Sequence, residues 1–498
     1  MEISVVQVPP EGVDADVIAL PVRAPAVLPE AARELDRALE GRLGRLVEDG
    51  ELKGDQGRVT LLHSDGRVAA PRVVAVGIGE DGSDEADRLR TAAAAAATRT
   101  GEVGGRTVAW PLEPNGGLSR AEQSRAIVEG TALATHRAGR WKTGGEEQPE
   151  IERLVLFGRG SEGVEADARR ANVVARWTNH CRDLVNAPPN ELTPARLAEW
   201  AEEHAGRVGL GFEVLGPDEI GAAGMGALAA VGQGSHNEPR LIALRHDPAG
   251  ARDDLVLGLI GKAMTFDSGG LSLKPADKMD QMKCDMGGGG AVLAAACAVA
   301  ELGVPLRVLA VVPAAENMPG GHAYRPGDIV RALNGKTIEI TNTDAEGRLI
   351  LADALWHARQ EGATHLVDLA TLTGAMVTAM GDYYAGLFAN DEGWLGEIQS
   401  AAEASGDHVW VWPLHDTYRR FIESDFADMK NSSTLRQASP ILAARFLQEF
   451  VGDGPWAHLD IAGTAYLERG RGDYYTAAGA TGYGVRLLAE LAGRLGER

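Results

Sequence analysis

The sequence predicts an α/β protein with two α/β domains. The C-terminal one is expected to be a mostly parallel, mixed sheet flanked by helices on both faces. Strand-like apolar runs alternate with helical patterns along most of the chain, the order expected of a parallel sheet covered by its own crossovers. Residues 255–260 form an unbroken apolar run, as a strand buried on both faces requires. At 498 residues the chain is also too long for one ordinary core.

In the first part, residues 3–8, 58–62, 72–76, 107–110 and 154–157 read as strands, with helical patterns over 30–48 and 84–98 between them. Residues 139–149 are rich in turn formers and mark a loop or a weak boundary. The pattern over 164–184 predicts a long helix. It stops before Asn186-Ala187-Pro188-Pro189, because a residue ahead of proline is steered out of helical backbone. The join between domains is placed along this helix, giving an N-terminal domain over 1–165, a linking helix and turn over 166–190, and a second domain over 191–498. There, strands at 255–260, 306–312, 365–369 and 457–461 alternate with helices at 349–360 and, behind four glycines, at 291–302. Residues 330–340 carry Asn334-Gly335 at their centre, the turn chemistry of a tight hairpin. Residues 485–495 form an amphipathic helix.

The formal charge of −22 argues against a nucleic-acid binder, which needs basic surface, and against docking on anionic membranes. The longest small-apolar stretches, 92–97 and 291–300, are alanine-rich helix formers, far short of a membrane span. The N-terminus lacks the basic and apolar segments of a signal peptide, so a cytoplasmic protein is expected. Three scattered cysteines, Cys181, Cys284 and Cys297, exclude a disulfide framework and a zinc ribbon, and buried free thiols are expected.

In open α/β sheets, sites form beyond the carboxyl ends of strands. Lys262 directly follows the 255–260 strand, and Asp267, Lys274 and Asp285 come soon after. Farther on lies Asn342-Thr343-Asp344-Ala345-Glu346-Gly347-Arg348-Leu349. In extended backbone Asp344, Glu346 and Arg348 would project to one side and offer two acids and a cation to one point. Such an oxygen-rich set suits Mg²⁺, Mn²⁺ or Zn²⁺, and without a cation four converging carboxylates would repel one another. A lysine ligand must shed its proton, which a neighbouring metal charge favours. Taken singly, each residue has a plainer explanation. Asp285 could cap a helix, Asp267 could stabilise the following Ser-Gly-Gly turn, and Lys274 could be a surface lysine. Arg348 could be a first-turn surface residue, although a cation there opposes the helix dipole, a conflict that a bound anion would resolve.

Residues 77–82 fit a G-x-G-x-x-G pattern, but two acids in it would repel a pyrophosphate, and a plain turn is favoured. The glycines at 287–290 are read as close packing rather than an anion site. Patterns for serine hydrolases, zincins and P-loop NTPases are missing, so those readings lose their usual support, while the two clusters together look like a site for two metal ions, which points to hydrolysis.

Three segments together, residues 261–270, 279–288 and 342–349, closely resemble the dinuclear leucyl aminopeptidases, the cytosol aminopeptidases. The similarity extends to 182–193, 325–328, 368–374, 428–431 and 456–463, most of the second half. The resemblance implies an N-terminal α/β domain, a catalytic aminopeptidase domain, and a homohexamer acting on peptides. It further implies two divalent ions per subunit, Mn²⁺ or Zn²⁺. One would be held by Lys262, Asp267, Asp285 and Glu346, the other by Asp267, Asp344 and Glu346. Lys274 and Arg348 match the two catalytic positions, with Arg348 holding a bicarbonate. Met282, Asn342, Thr371, Leu372, Gly374, Ala462 and Ala465 are implied to bind substrate. The expected reaction is removal of leucine-like N-terminal residues by a two-metal bridging-hydroxide mechanism, with Lys274 as electrophile and bicarbonate as proton shuttle. This sequence departs from the family pattern in two places: Ala263 stands where a glycine is usual, and Gly289-Gly290 where a small alanine pair is usual. Residues 431–439 also lack the usual glycine-rich character. The alternatives are a dinuclear phosphoesterase, in which Lys274 and Arg348 clamp a phosphate, and a non-catalytic structural or DNA-binding hexamer, which the acidic charge disfavours.

Overall fold

The computed structural model describes residues 1–498 apart from 83, 114–116, 140, 145–149, 159–162 and 436. The turn-rich stretch 139–149 therefore lies partly outside the described residues, as does one position of 431–439. The chain forms two compact units, one of residues 1–176 and 469–478, the other of 177–468 and 479–498. The division falls within the helix Glu165–Asn186.

The first unit is built on strands β1 (Glu2–Val6), β2 (Val17–Arg23), β3 (Val59–His63), β4 (Arg72–Gly79), β5 (Thr107–Pro111) and β6 (Arg153–Phe157). They lie in the order β1-β6-β5-β2-β4-β3, parallel except for β3 against β4. The sequence reading does not predict β2, which sits near the middle of this sheet. That strand contains Pro21, a residue disfavoured in a central strand because proline donates nothing to a ladder. The structure shows how it is accommodated: the ladder to β5 extends only over Val17 and Ile18, so one edge is already unpaired at Pro21. The helical pattern over 30–48 is likewise two helices, Glu30–Ala38 and Arg42–Glu48. They are parted by Glu40 and Gly41 at φ 57° and 77°, left-handed backbone that no helix can continue through.

The second unit contains β7 (Gly211–Leu215), β8 (Arg240–His246), β9 (Val256–Gly261), β10 (Ala263–Asp267), β11 (Arg307–Asn317), β12 (Ile329–Arg331), β13 (Thr337–Glu339), β14 (His365–Ala370), β15 (Ala385–Ala389), β16 (Val409–Val411), β17 (Met429–Lys430) and β18 (Trp456–Asp460). The main sheet runs β16-β15-β18-β14-β9-β11-β8-β7, with β10 also paired to β11. Its centre, β18-β14-β9-β11, is parallel, and antiparallel strands flank it. Leu257, Leu259 and Ile260 are all fully buried, so neither face of β9 is open to water, as alternate side chains of one strand point to opposite faces. The Asn334-Gly335 hairpin joins β12 to β13, and β17 extends it to a small sheet.

The helix expected behind the four glycines instead contains them, running Gly287–Glu301. The reason is steric. A Cβ on Gly288 would lie 2.0 Å from the Leu369 carbonyl oxygen, and one on Gly289 would lie 2.6 Å from the Ala263 Cβ. Bare backbone lets the first turn press against the ends of β14 and β10, which places the preceding Asp285 at the site. Among the described residues, no helix is long and apolar enough to cross a membrane. All three cysteines are unpaired; Cys181 and Cys297 are buried and Cys284 half-buried.

Candidate active site

Lys262 occupies a break between two strands. The pairs Ile260–Val311 and Ala263–Ala314 leave it opposite Pro313, which has no N–H to give. Its own N–H turns to the Leu369 carbonyl at 3.1 Å, and its carbonyl accepts from Gly289 at 2.7 Å. The side chain is buried, with Nζ 2.9 Å from both Asp285 Oδ1 and Glu346 Oε1 and 3.1 Å from the Thr371 carbonyl. Gly347 makes room for it, since a Cβ there would lie 2.5 Å from Nζ. Asp267 ends β10. One of its oxygens accepts from Asn317 Nδ2 at 2.8 Å and from Gly269 N–H at 2.9 Å, and the other faces Lys274 Nζ at 2.7 Å. The turn role foreseen for Asp267 is thus real and coexists with its place in the cluster. Asp285 does not cap the glycine helix, whose cap position is Met286; its Oδ1 accepts instead from the Thr371 hydroxyl at 2.8 Å.

The run from Asn342 to Leu349 is not extended. A turn at Thr343–Asp344 leads into the helix Gly347–Gln360, and Glu346 already has helical backbone. Asp344 and Glu346 still converge with Asp267. The three offer one ligand atom each within 4.8 Å of one another, the one such group among the described residues. Arg348 is carried around the first helical turn instead of lying beside the two acids. Its Nη1 donates to the Asn431 carbonyl at 2.7 Å, and its buried Nε has no hydrogen-bond partner. Lys274 is no loose surface lysine: its Nζ lies 2.7 Å from Asp267 and 2.5 Å from Asp344.

Four carboxylates here face two ammoniums, most of them buried and Lys274 and Asp344 partly open. Burial pushes the Asp285 carboxyl up to about 8, with Lys262 opposing and Asp267 and Glu346 adding to the rise. Asp344 is raised to about 6 by burial and by Asp267, against the pull of Lys274. Burial disfavours the charge on both lysines, yet the surrounding acids outweigh it and hold them above the ordinary lysine value. Burial also lowers Arg348 to about 10. Asp285 Oδ2 and Glu346 Oε2 are buried without a hydrogen-bond partner. Unsatisfied buried carboxylate oxygens cost several kcal/mol unless a cation or donor meets them, so the residues present fit divalent ions.

Lys262, Asp267, Lys274, Asp285, Asp344 and Glu346 line a single cavity of about 400 Å³ together with Met282, Thr371, Leu372, Gly374 and Ala462. Three residues expected at the site are not part of this lining. Arg348 is one. Ala465 is buried against Gly287, and Asn342 holds backbone, accepting from Asp344 N–H at 3.0 Å and Asn431 Nδ2 at 2.7 Å. The sequence reading missed Asn317, which donates to both Asp267 and the Thr343 carbonyl, and Tyr324, which donates to the same carbonyl at 2.7 Å. It named the stretch containing Asn431 without giving that residue a role. Asn431 ties Thr341, Asn342 and Arg348 together. A polar residue at the end of an apolar strand, as Asn317 is on β11, is the signal that could have found it.

The family model for the catalytic domain of the cytosol aminopeptidase family matches residues 179–489, and that for the N-terminal domain of the same family matches 19–145. Over 460 residues the chain is 45% identical to a probable cytosol aminopeptidase of Roseiflexus castenholzii, covering 91% of this chain and 93% of the relative. It is 46% identical over 466 residues to one from Geotalea uraniireducens, covering 92% of each. Among solved structures, the bottromycin maturation enzyme BotP in complex with Mn superposes with a TM-score of 0.85 at 38% identity, covering 97% of this chain and all of the other. A mutant of tomato leucine aminopeptidase gives 0.89 at 33% identity, covering 99% of this chain and 96% of the other.

Proposed function

The chain belongs to the cytosol aminopeptidase family and is a metal-dependent aminopeptidase, and from this premise we propose that it releases leucine-like residues from peptide N-termini. The convergence of Asp267, Asp344 and Glu346 with two buried lysines on one cavity carries this reading. Lys262, Asp267, Asp285, Asp344 and Glu346 would hold two divalent ions, Mn²⁺ or Zn²⁺, whose chemistry is to polarise the peptide carbonyl and lower the pKa of a water.

The remaining work falls to the chain itself. Asp285, with one oxygen unpartnered, faces the substrate's α-amine and selects a free N-terminus. Lys274, whose Nζ lies between Asp267 and Asp344 at the cavity wall, presents a positive charge to the oxygen of the scissile carbonyl as negative charge develops there. Arg348, whose Nε is free of protein partners, is the seat for a bicarbonate, which would supply a proton carrier. Met282, Thr371, Leu372, Gly374 and Ala462, with Ala465 and Asn342 behind them, shape an apolar pocket for the leaving residue's side chain. Domain limits at 165 and 190, a homohexameric assembly and a cytoplasmic location complete the proposal; family membership supports the assembly, and light scattering in solution tests it.

The experiment is turnover of leucine p-nitroanilide and a dipeptide panel by protein loaded with Mn²⁺ or Zn²⁺, with p-nitrophenyl phosphate alongside. Cleavage of the anilide with the phosphate untouched is expected. Turnover of the phosphate alone would move the protein to the phosphoesterases.

A further inference from the structure

Asp460 ends β18 and is completely buried. Its Oδ1 accepts from the N–H of Leu372 at 3.3 Å and of Ala462 at 3.2 Å, and its Oδ2 accepts from the Thr373 hydroxyl at 2.6 Å. Leu372, Thr373 and Ala462 all line the active-site cavity, the first two after β14 and the third after β18. Backbone pairing between those strands runs as far as the Ile461 N–H on the Ala370 carbonyl, at 2.8 Å. Beyond that point the Asp460 carboxylate joins the two cavity walls.

The other end of the 371–374 loop is anchored in the acid cluster, through the Thr371 hydroxyl on Asp285 and the Thr371 carbonyl on Lys262. Thr373 precedes the helix Gly374–Met380 but gives it no side-chain cap; its hydroxyl is turned to Asp460 instead. Burial raises the Asp460 carboxyl, and the neighbouring His458, itself 2.6 Å from Asp368, opposes that rise. A buried acid is costly, and three hydrogen bonds to two loops of one cavity are what this one makes.

We propose that Asp460 is the positioning residue that sets the width of the substrate side-chain pocket, by holding Leu372 and Thr373 at a fixed distance from Ala462. The inference rests on the aminopeptidase reading of that cavity. Asp460 does not touch substrate; it acts through the walls.

The test compares kcat and KM for leucine, alanine and phenylalanine p-nitroanilides on the full-length Mn²⁺-loaded protein, in wild type, Asp460→Asn and Asp460→Ala. In Asp460→Asn the amide oxygen replaces Oδ1 and the amide nitrogen donates to the Thr373 hydroxyl, so selectivity stays within about twofold of wild type. In Asp460→Ala the leucine-over-alanine preference falls about tenfold, mainly through a raised KM for leucine, the scale of one ill-fitting methylene in a pocket. Unchanged ratios in Asp460→Ala, with wild type cleaving all three substrates, overturn the proposal. A wild type that cleaves none overturns the aminopeptidase reading and this one with it. If Asp460→Ala does not fold, Thr373→Val and Thr373→Ser decide together, because Thr373 itself lines the cavity: a several-fold fall in the ratio in Thr373→Val, with Thr373→Ser, which keeps the hydroxyl on Asp460, near wild type, supports the proposal, and an unchanged ratio in Thr373→Val or an equal fall in both overturns it.

Discussion

Ala263 and Gly289 occupy complementary space: a Cβ on Gly289 would lie 2.6 Å from the Ala263 Cβ, too close for two real carbons. The same Cβ would also lie 2.9 Å from Val312 Cγ1, so the glycine at 289 is what makes room for the alanine at 263. Gly289→Ala is expected to destabilise the protein by about 1–3 kcal/mol through overpacking. Adding Ala263→Gly should recover about 1 kcal/mol or more, a coupling that neighbouring sites show and distant ones do not. Denaturant melts of the two single variants and the double variant measure it. Strict additivity would mean that the contact carries no strain.

Glu346→Ala removes one of the two acids that hold Lys262. Metal content by plasma mass spectrometry should fall well beyond the ~10–100-fold loss in affinity that follows removal of a supporting hydrogen bond. Circular dichroism should be unchanged. Wild-type metal content and turnover in this variant would remove Glu346 from the ligand set.

Lys274→Ala should lower kcat by about 10²–10³-fold, the usual effect of deleting one group that stabilises a developing oxyanion. Metal content should stay at the wild-type level. If the metal leaves with the side chain, Lys274 serves the ions and not the carbonyl.

Asp353 is buried in the helix Gly347–Gln360, accepting from the Leu228 N–H at 2.9 Å and the Leu333 N–H at 2.7 Å. Burial raises its carboxyl from an ordinary value of 3.8 to about 7, despite those donors. A raised acid binds its proton more tightly in the folded protein. Its contribution is therefore full below the unfolded value, declines as pH rises, and is gone above about 7. The decline should amount to a few kcal/mol. Stability measured from pH 4 to 8 should fall less steeply in Asp353→Asn than in wild type, and parallel curves would show that Asp353 is not the source. The variant should also be destabilised overall by about 1–3 kcal/mol, because an amide cannot accept from both N–H groups as a carboxyl does.

Much of this arrangement is legible in the chain because local chemistry and global fold agree. The apolar run of β9 and the Asn334-Gly335 turn each have a single sensible structure. What stayed hidden depends on neighbours remote in sequence. β2 went unread, and the Pro21 within it is accommodated because β5 stops pairing before it. The glycines from Gly287 read as close packing, but the surfaces they pack on, the Leu369 carbonyl and Ala263, are remote in sequence. Asp344, Glu346 and Arg348 suggested a shared face under an extended geometry. Helical backbone from Glu346 onward turns Arg348 toward Asn431 instead. Asp460 lay within a recognised stretch, but its role is visible only once Leu372 and Ala462 are seen to share its carboxylate.

The smaller compact unit takes in residues 469–478 after the larger one is almost complete. The two units are therefore interleaved in the gene. Exchanging a 5′ fragment between homologues would produce a hybrid whose small unit carries a foreign late segment. Chimeras should respect three breakpoints, not one, and a ribosome must deliver nearly the whole chain before the smaller unit has all its parts.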